Sequence, residues 1–171
     1  EAMLRAEAAL NKARVNGRDG FAVFEASPSR ETARLRQMQI SDEVVHALKE
    51  NRLKLAYQPV ISAKTRTASH YECLLRLQKA DGSILTAGHF VPACETMGIV
   101  HLVDRWALET TIAKLKANPD VVLAVNVSGT AASDPAWLQD FVDYVSSQRA
   151  VAARLIVELT ETAALHHFEE N

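Results

Sequence analysis

The 171 residues are 48% hydrophobic and 23% charged, with a net charge of −2, the balance of an ordinary globular chain long enough for one domain plus a fragment of another. That charge excludes a surface that coats DNA or RNA, which needs clustered Lys and Arg, and no apolar run reaches the roughly 18 residues of a membrane span. Two cysteines, Cys73 and Cys94, are too few for a disulfide framework, so the segment is expected to be cytoplasmic and to make no membrane contact itself, within a parent protein that can be tethered to the inner membrane.

In chain order, Glu1 to Val15 is predicted to be a helix without an N-terminal cap, closed by Asn16-Gly17, and Phe21 to Phe24 a short strand. Such a pair is too small to hold its own core and reads as the end of an earlier domain, residues 1–26. Ser27-Pro28 starts a polar connector helix over 27–40. Ser41 is placed as the cap of a second helix through Glu50, opening a domain over 41–171.

Leu53 to Ile61 and Arg66 to Leu77 read as a hairpin of two strands. Thr86 to Met97 is expected to be a loop and short helix, and His101 to Ala117 a longer amphipathic helix broken by Asn118-Pro119-Asp120. Val121 to Val127 is a strand, Asp134-Pro135 opens a helix to about Ser147, and Arg154 to Leu159 is the next strand. Strand, helix, strand, helix, strand at this spacing predicts an α/β fold with a parallel sheet. A closed barrel of this kind takes about 250 residues, so a partial barrel is expected.

Three of these strands carry an oxygen-bearing side chain where an apolar one is expected. They are Glu72 in Tyr71–Arg76 (YECLLR), Asn126 in Leu123–Ser128 (LAVNVS) and Glu158 in Leu155–Thr160 (LIVELT). Strand side chains alternate, so Glu72, Leu74 and Arg76 share one face. A buried carboxylate needs a partner or a cation, and two carboxylates with an amide offer only oxygen, which suits Mg²⁺, Mn²⁺ or Ca²⁺ rather than zinc. Arg76 on the Glu72 face can clamp a phosphate with its planar fork of donors. Each signal also has a plainer meaning: a strand Glu on an exposed edge or paired with Arg, and Asn126 opening a turn before Ser128-Gly129. His166-His167 points in two directions on a helix and reads as exposed. Cys94 reads as a small buried residue.

These segments, in this order over Leu53 to Leu165, resemble the EAL phosphodiesterase family. Leu55–Ile61 (LAYQPVI) is similar to its opening strand, and Tyr71–Arg76 to its signature strand, with Cys73 where the name-giving Ala stands. Phe90–Glu95 followed by Gly98, then Asp104-Arg105-Trp106, Asn126-Val127-Ser128 and Glu158–Glu161 (ELTE), look like further family motifs. Ala6–Leu10, Ala13-Arg14, Gly17-Arg18 and Phe21–Phe24 resemble the closing helix and strand of a GGDEF domain.

The resemblance implies a TIM-like barrel whose first strand runs antiparallel. It implies Glu72, Asn126 and Glu158 as metal ligands, Gln58, Leu74 and Arg76 lining a cyclic-di-GMP site, and Glu161 bracing a loop tied to dimerisation, hence a homodimeric parent. The implied reaction is hydrolysis of cyclic-di-GMP to linear pGpG with two Mg²⁺ or Mn²⁺ per complete site. The family's paired Asp and catalytic Lys are expected beyond Asn171, so this piece alone is expected to be inactive. The alternative is a catalytically inactive receptor that binds cyclic-di-GMP.

Overall fold

A computed structural model describes residues 2–15, 21–23 and 28–159. The chain divides into two units, 1–36 and 37–171. In the first, α1 (Ala2–Val15) is the expected helix. The expected strand at Phe21 is not formed: Phe21 to Val23 has no regular structure, and Phe21 and Val23 are exposed. A strand exists only against a partner, and none lies beside these residues among those described. Phe24 and the Asn16-Gly17 stop lie outside the described residues.

α2 runs without a break from Pro28 to Lys49. This corrects the expected helix start at Ser41, which is an interior residue, buried, with its hydroxyl unpartnered. No Gly or Pro interrupts Gln37 to Asp42, so continuing the helix costs little. Val44 and Ala47 on its C-terminal turns are fully buried against Leu53, Leu77, Phe90, Cys94, Val100 and Val103.

The sheet of the second unit is made by β1 (Leu53–Ile61), β2 (Ala68–Gln78), β3 (Ile84–Thr86), β4 (Leu123–Val127) and β5 (Leu155–Leu159). β1 and β2 form the expected antiparallel hairpin, with Leu53 opposite Leu77 and Gln58 opposite Glu72. β1 covers one edge of β2 along its length. The other edge is shared end to end, by antiparallel β3 at Arg76 to Gln78 and by parallel β4 at Tyr71 to Cys73. β5 continues in parallel beyond β4. Among the described residues the order β1-β2-β4-β5 leaves the sheet open.

Between β3 and β4 lie a 3-10 turn, Ala87–His89, then α3 (Val91–Thr96) and α4 (Val100–Ala117). Val100, Val103, Asp104, Ala107, Leu108, Thr111, Ile112 and Leu115 of α4 are buried, the three-and-four spacing of one helix stripe. Ala107, Leu108, Ile112 and Leu115 pack on Cys73, Leu123 and Val125, the helix-covered face of the sheet. The C-terminal carbonyls of α4 and the loop after it are held by one side chain. The Arg154 guanidinium donates to the carbonyls of Leu115 (2.9 Å), Asn118 (2.8 Å) and Val121 (3.0 Å). This is where an orphaned helix end needs donors.

Past β4 come α5 (Gly129–Ala132), α6 (Pro135–Ser146) and α7 (Arg149–Ala152). Asp134 caps α6 as its sequence predicts, accepting from the backbone N–H of Ala136 and Trp137. No helix among the described residues is long and apolar enough to cross a membrane.

Candidate functional site

Alternation places two different faces on this sheet. Tyr71, Cys73, Leu75 and Leu77 of β2 point toward the helices with Leu123, Val125 and Val127 of β4. Glu72, Leu74 and Arg76 point the other way, and so do Ala124 and Asn126. The parallel register carries that second face onward, because Asn126 pairs with Glu158 and Ala124 with Ile156. Glu72, Asn126 and Glu158 therefore converge on the helix-free face at three adjacent strands, whose spacing is about 4.8 Å.

One contact ties the first two. The Asn126 side-chain amide donates to Glu72 Oε1 across 2.9 Å. Asn126 Oδ1 and Glu72 Oε2 then keep their lone pairs, and among the described residues no hydrogen bond or ion pair engages the Glu158 carboxylate. The donor set is two carboxylates and one amide oxygen, half-buried. Hard divalent cations accept such a set, and zinc prefers nitrogen and sulfur. No cluster of three or more His, Cys, Asp or Glu side chains that could hold a metal ion forms among the described residues.

Gln58 stands opposite Glu72 on β1 and is exposed. Leu74 is half-buried at the wall of a recess of about 270 Å³, which Glu95, Asp104, Asn126 and Ser128 also line. Arg76 lies on the Glu72 face about 13 Å further along β2. One guanidinium nitrogen donates to the Leu75 carbonyl at 2.8 Å, which leaves the remaining N–H groups of the fork for a ligand. Glu161, His166 and His167 lie outside the described residues.

Cys73 faces the helices, away from Glu72, and burial pushes its thiol above the ordinary value. Its side chain takes no part in the oxygen trio. Burial likewise pushes the Cys94 thiol up to about 11.

The structure adds a pair that the strand pattern did not single out. Asp104, 5% exposed on α4, accepts from the Ser128 hydroxyl at 2.5 Å and from the Ser128 backbone N–H at 3.3 Å. Burial raises the Asp104 pKa, and the two Ser128 hydrogen bonds oppose that rise. The sequence does hold a signal for it: Asp104 falls on the apolar stripe of α4, the one acidic residue there, and a buried carboxylate requires a partner.

An EAL domain family model matches residues 41–171. The chain belongs to the EAL domain family. Among curated relatives, the bifunctional diguanylate cyclase/cyclic di-GMP phosphodiesterase MucR of Pseudomonas aeruginosa is 26% identical over 170 residues, 96% of this chain and 24% of the relative. The chain spans about a quarter of the length of the curated relatives it matches. The solved S helix-GGDEF-EAL structure of Vibrio cholerae LapD, in its apo form, is 25% identical with a TM-score of 0.69, covering 94% of this chain and 38% of that one. The FimX EAL domain of Pseudomonas aeruginosa, bound to c-di-GMP, is 28% identical with a TM-score of 0.61, covering 76% and 53%. The mixed sheet with its antiparallel first strand is thus an EAL-type, TIM-barrel-like fold, open over the residues described.

Proposed function

We propose that this chain supplies the metal-binding and phosphate-binding part of a cyclic-di-GMP phosphodiesterase in the whole protein. The observation that carries the reading is the Asn126 amide on Glu72 with Glu158 next in register. An ordinary sheet face has no use for two carboxylates and an amide drawn together, and a divalent cation does. The cyclic di-GMP phosphodiesterase activity named for MucR and the c-di-GMP bound to the FimX EAL domain support the choice of substrate.

In this reading Glu72, Asn126 and Glu158 hold Mg²⁺ or Mn²⁺, two per complete site. Bound there, the cations lower the pKa of a water and neutralise charge developing on the phosphoryl oxygens. Arg76 binds a phosphate through its free N–H groups, while Gln58 and Leu74 line the nucleotide site. Attack of water on phosphorus forms one P–O bond and breaks one P–O bond to a ribose oxygen, opening the ring to linear pGpG. Proton transfer falls to groups elsewhere in the whole protein, an Asp pair and a Lys by the family pattern, and Glu161 braces the loop that follows them. Residues 41–171 are the EAL portion, 27–40 a connector, and 1–26 the end of a GGDEF domain, an arrangement supported by the likeness to LapD across 94% of the chain. The whole protein acts in the cytoplasm as a homodimer.

Incubation of the whole protein with cyclic-di-GMP and Mn²⁺, followed by chromatography of the products, tests the reaction. Formation of pGpG is expected. Saturable binding of cyclic-di-GMP without pGpG would instead assign the receptor role.

A further inference from the structure

The β2–β4 ladder stops at Cys73 and Val125. Beyond it β2 turns its edge to β3, so among the described residues the β2-side edge of Asn126 to Ser128 has no strand beside it, although Asn126 must there hold its amide against Glu72. From the helix-covered face, α4 reaches the end of β4. Its Asp104 carboxylate takes both the hydroxyl and the backbone N–H of Ser128. The same hydroxyl accepts from the backbone N–H of Ala131 at 3.2 Å, capping α5. Ser128, the residue that follows β4 and caps α5, is therefore held from both sides two residues after Asn126.

We propose that Asp104 is a positioning residue for the metal site. By fastening Ser128 to α4 it fixes the end of β4, and so the direction in which Asn126 presents its amide. The inference rests on the reading of Asn126 as a metal ligand. A carboxylate is an expensive way to pack a helix against a strand, since its burial is unfavourable and an apolar side chain would serve. Retaining one here makes sense where the position of the strand end matters more than the stability of the contact. Groups that orient metal ligands in this way, without touching the metal, typically alter affinity or activity by about 10–100-fold when removed.

The test uses the whole protein as wild type, Asp104→Ala, Asp104→Asn, Ser128→Ala and the Asp104→Ala/Ser128→Ala double variant, with Leu115→Ala as a control for lost core stability. Free Mn²⁺ is counted by electron paramagnetic resonance, Tm is measured, and kcat and KM are determined for cyclic-di-GMP. Asp104→Ala is expected to weaken Mn²⁺ binding about 10–100-fold and to lower kcat far more than it raises KM. Asp104→Asn, whose amide oxygen still accepts from Ser128, is expected to recover most of that loss. The double variant is expected to be no worse than Asp104→Ala, as for two groups acting as a unit. Leu115→Ala is expected to lose Tm but keep its Mn²⁺ affinity. An Asp104→Ala protein that matches Leu115→Ala in both would overturn the proposal. Should Asp104→Ala fail to fold, Ser128→Ala decides: unchanged Mn²⁺ affinity there overturns it equally. A wild-type protein that takes up no Mn²⁺ overturns the metal reading itself, and the role of Asp104 with it.

Discussion

Glu72 and Asn126, 54 residues apart in sequence, are joined by a 2.9 Å hydrogen bond from the Asn126 amide to Glu72 Oε1. The bond brings a strand of the opening hairpin to the first parallel strand on the face that the helices leave free. It also lets the Glu72 carboxylate sit beside a polar neighbour without like-charge repulsion. Replacing that donor should therefore have two opposite consequences. Asn126→Asp is expected to lower the Tm of the metal-free protein, since two carboxylates then face each other, and to enlarge the rise in Tm on adding Mn²⁺. Thermal unfolding with and without Mn²⁺ checks both, and an equal Tm shift in the two proteins would count against the trio.

Arg76 uses one nitrogen on the Leu75 carbonyl and, among the described residues, keeps the rest of its fork open. A lysine offers the charge without the planar fork. Arg76→Lys is expected to weaken cyclic-di-GMP binding about tenfold, the worth of one charge-assisted hydrogen bond, and to leave Mn²⁺ affinity unchanged. Calorimetric titration with each ligand separates the two. Equal nucleotide affinity would remove Arg76 from the phosphate site.

Cys73 stands beside Glu72 in sequence but on the opposite face, packed against α4. Cys73→Ala is expected to leave Mn²⁺ affinity and turnover as they are and to cost about 1 kcal/mol of stability, through the small void left behind. A large loss of metal affinity with unchanged stability would mean that its side chain reaches the site.

Cys94 gives a pH dependence with a definite sign. Its thiol is neutral when protonated, and burial holds that proton up to about 11, whereas an unfolded chain loses it near about 8.5. The contribution to stability is fully present below the unfolded value and is lost as pH rises toward the folded one. The difference in unfolding free energy between wild type and Cys94→Ala should therefore shrink from pH 8 to 10.5, followed by urea denaturation. A flat difference would contradict the burial argument. At pH 8 roughly one folded thiol in a thousand is ionised, so labelling by a thiol reagent should be slow until the protein unfolds.

The hairpin, the order of strands and helices, and the three out-of-place oxygen side chains were legible because each is written in a local period. Alternation in β2 and β4 assigns Glu72 and Asn126 to faces before any contact is known. What stayed hidden depends on distant partners. β3 is three residues long, Ile84–Thr86, and exists through its pairing with Arg76 to Gln78. Ser41 has the chemistry of a cap, but the strong helix formers around it carry α2 straight through. Asp104 has its partner 24 residues further on, and a lone acid on an apolar stripe says that a partner exists without saying which.

Titration of Mn²⁺ into the whole protein, beside its Glu72→Ala and Glu158→Ala variants, decides whether Glu72, Asn126 and Glu158 together hold a divalent cation. Saturable Mn²⁺ uptake by the wild type, lost together with cyclic-di-GMP hydrolysis in both variants while each stays folded, is the predicted result. Wild-type Mn²⁺ affinity and turnover in a folded Glu72→Ala protein would contradict it.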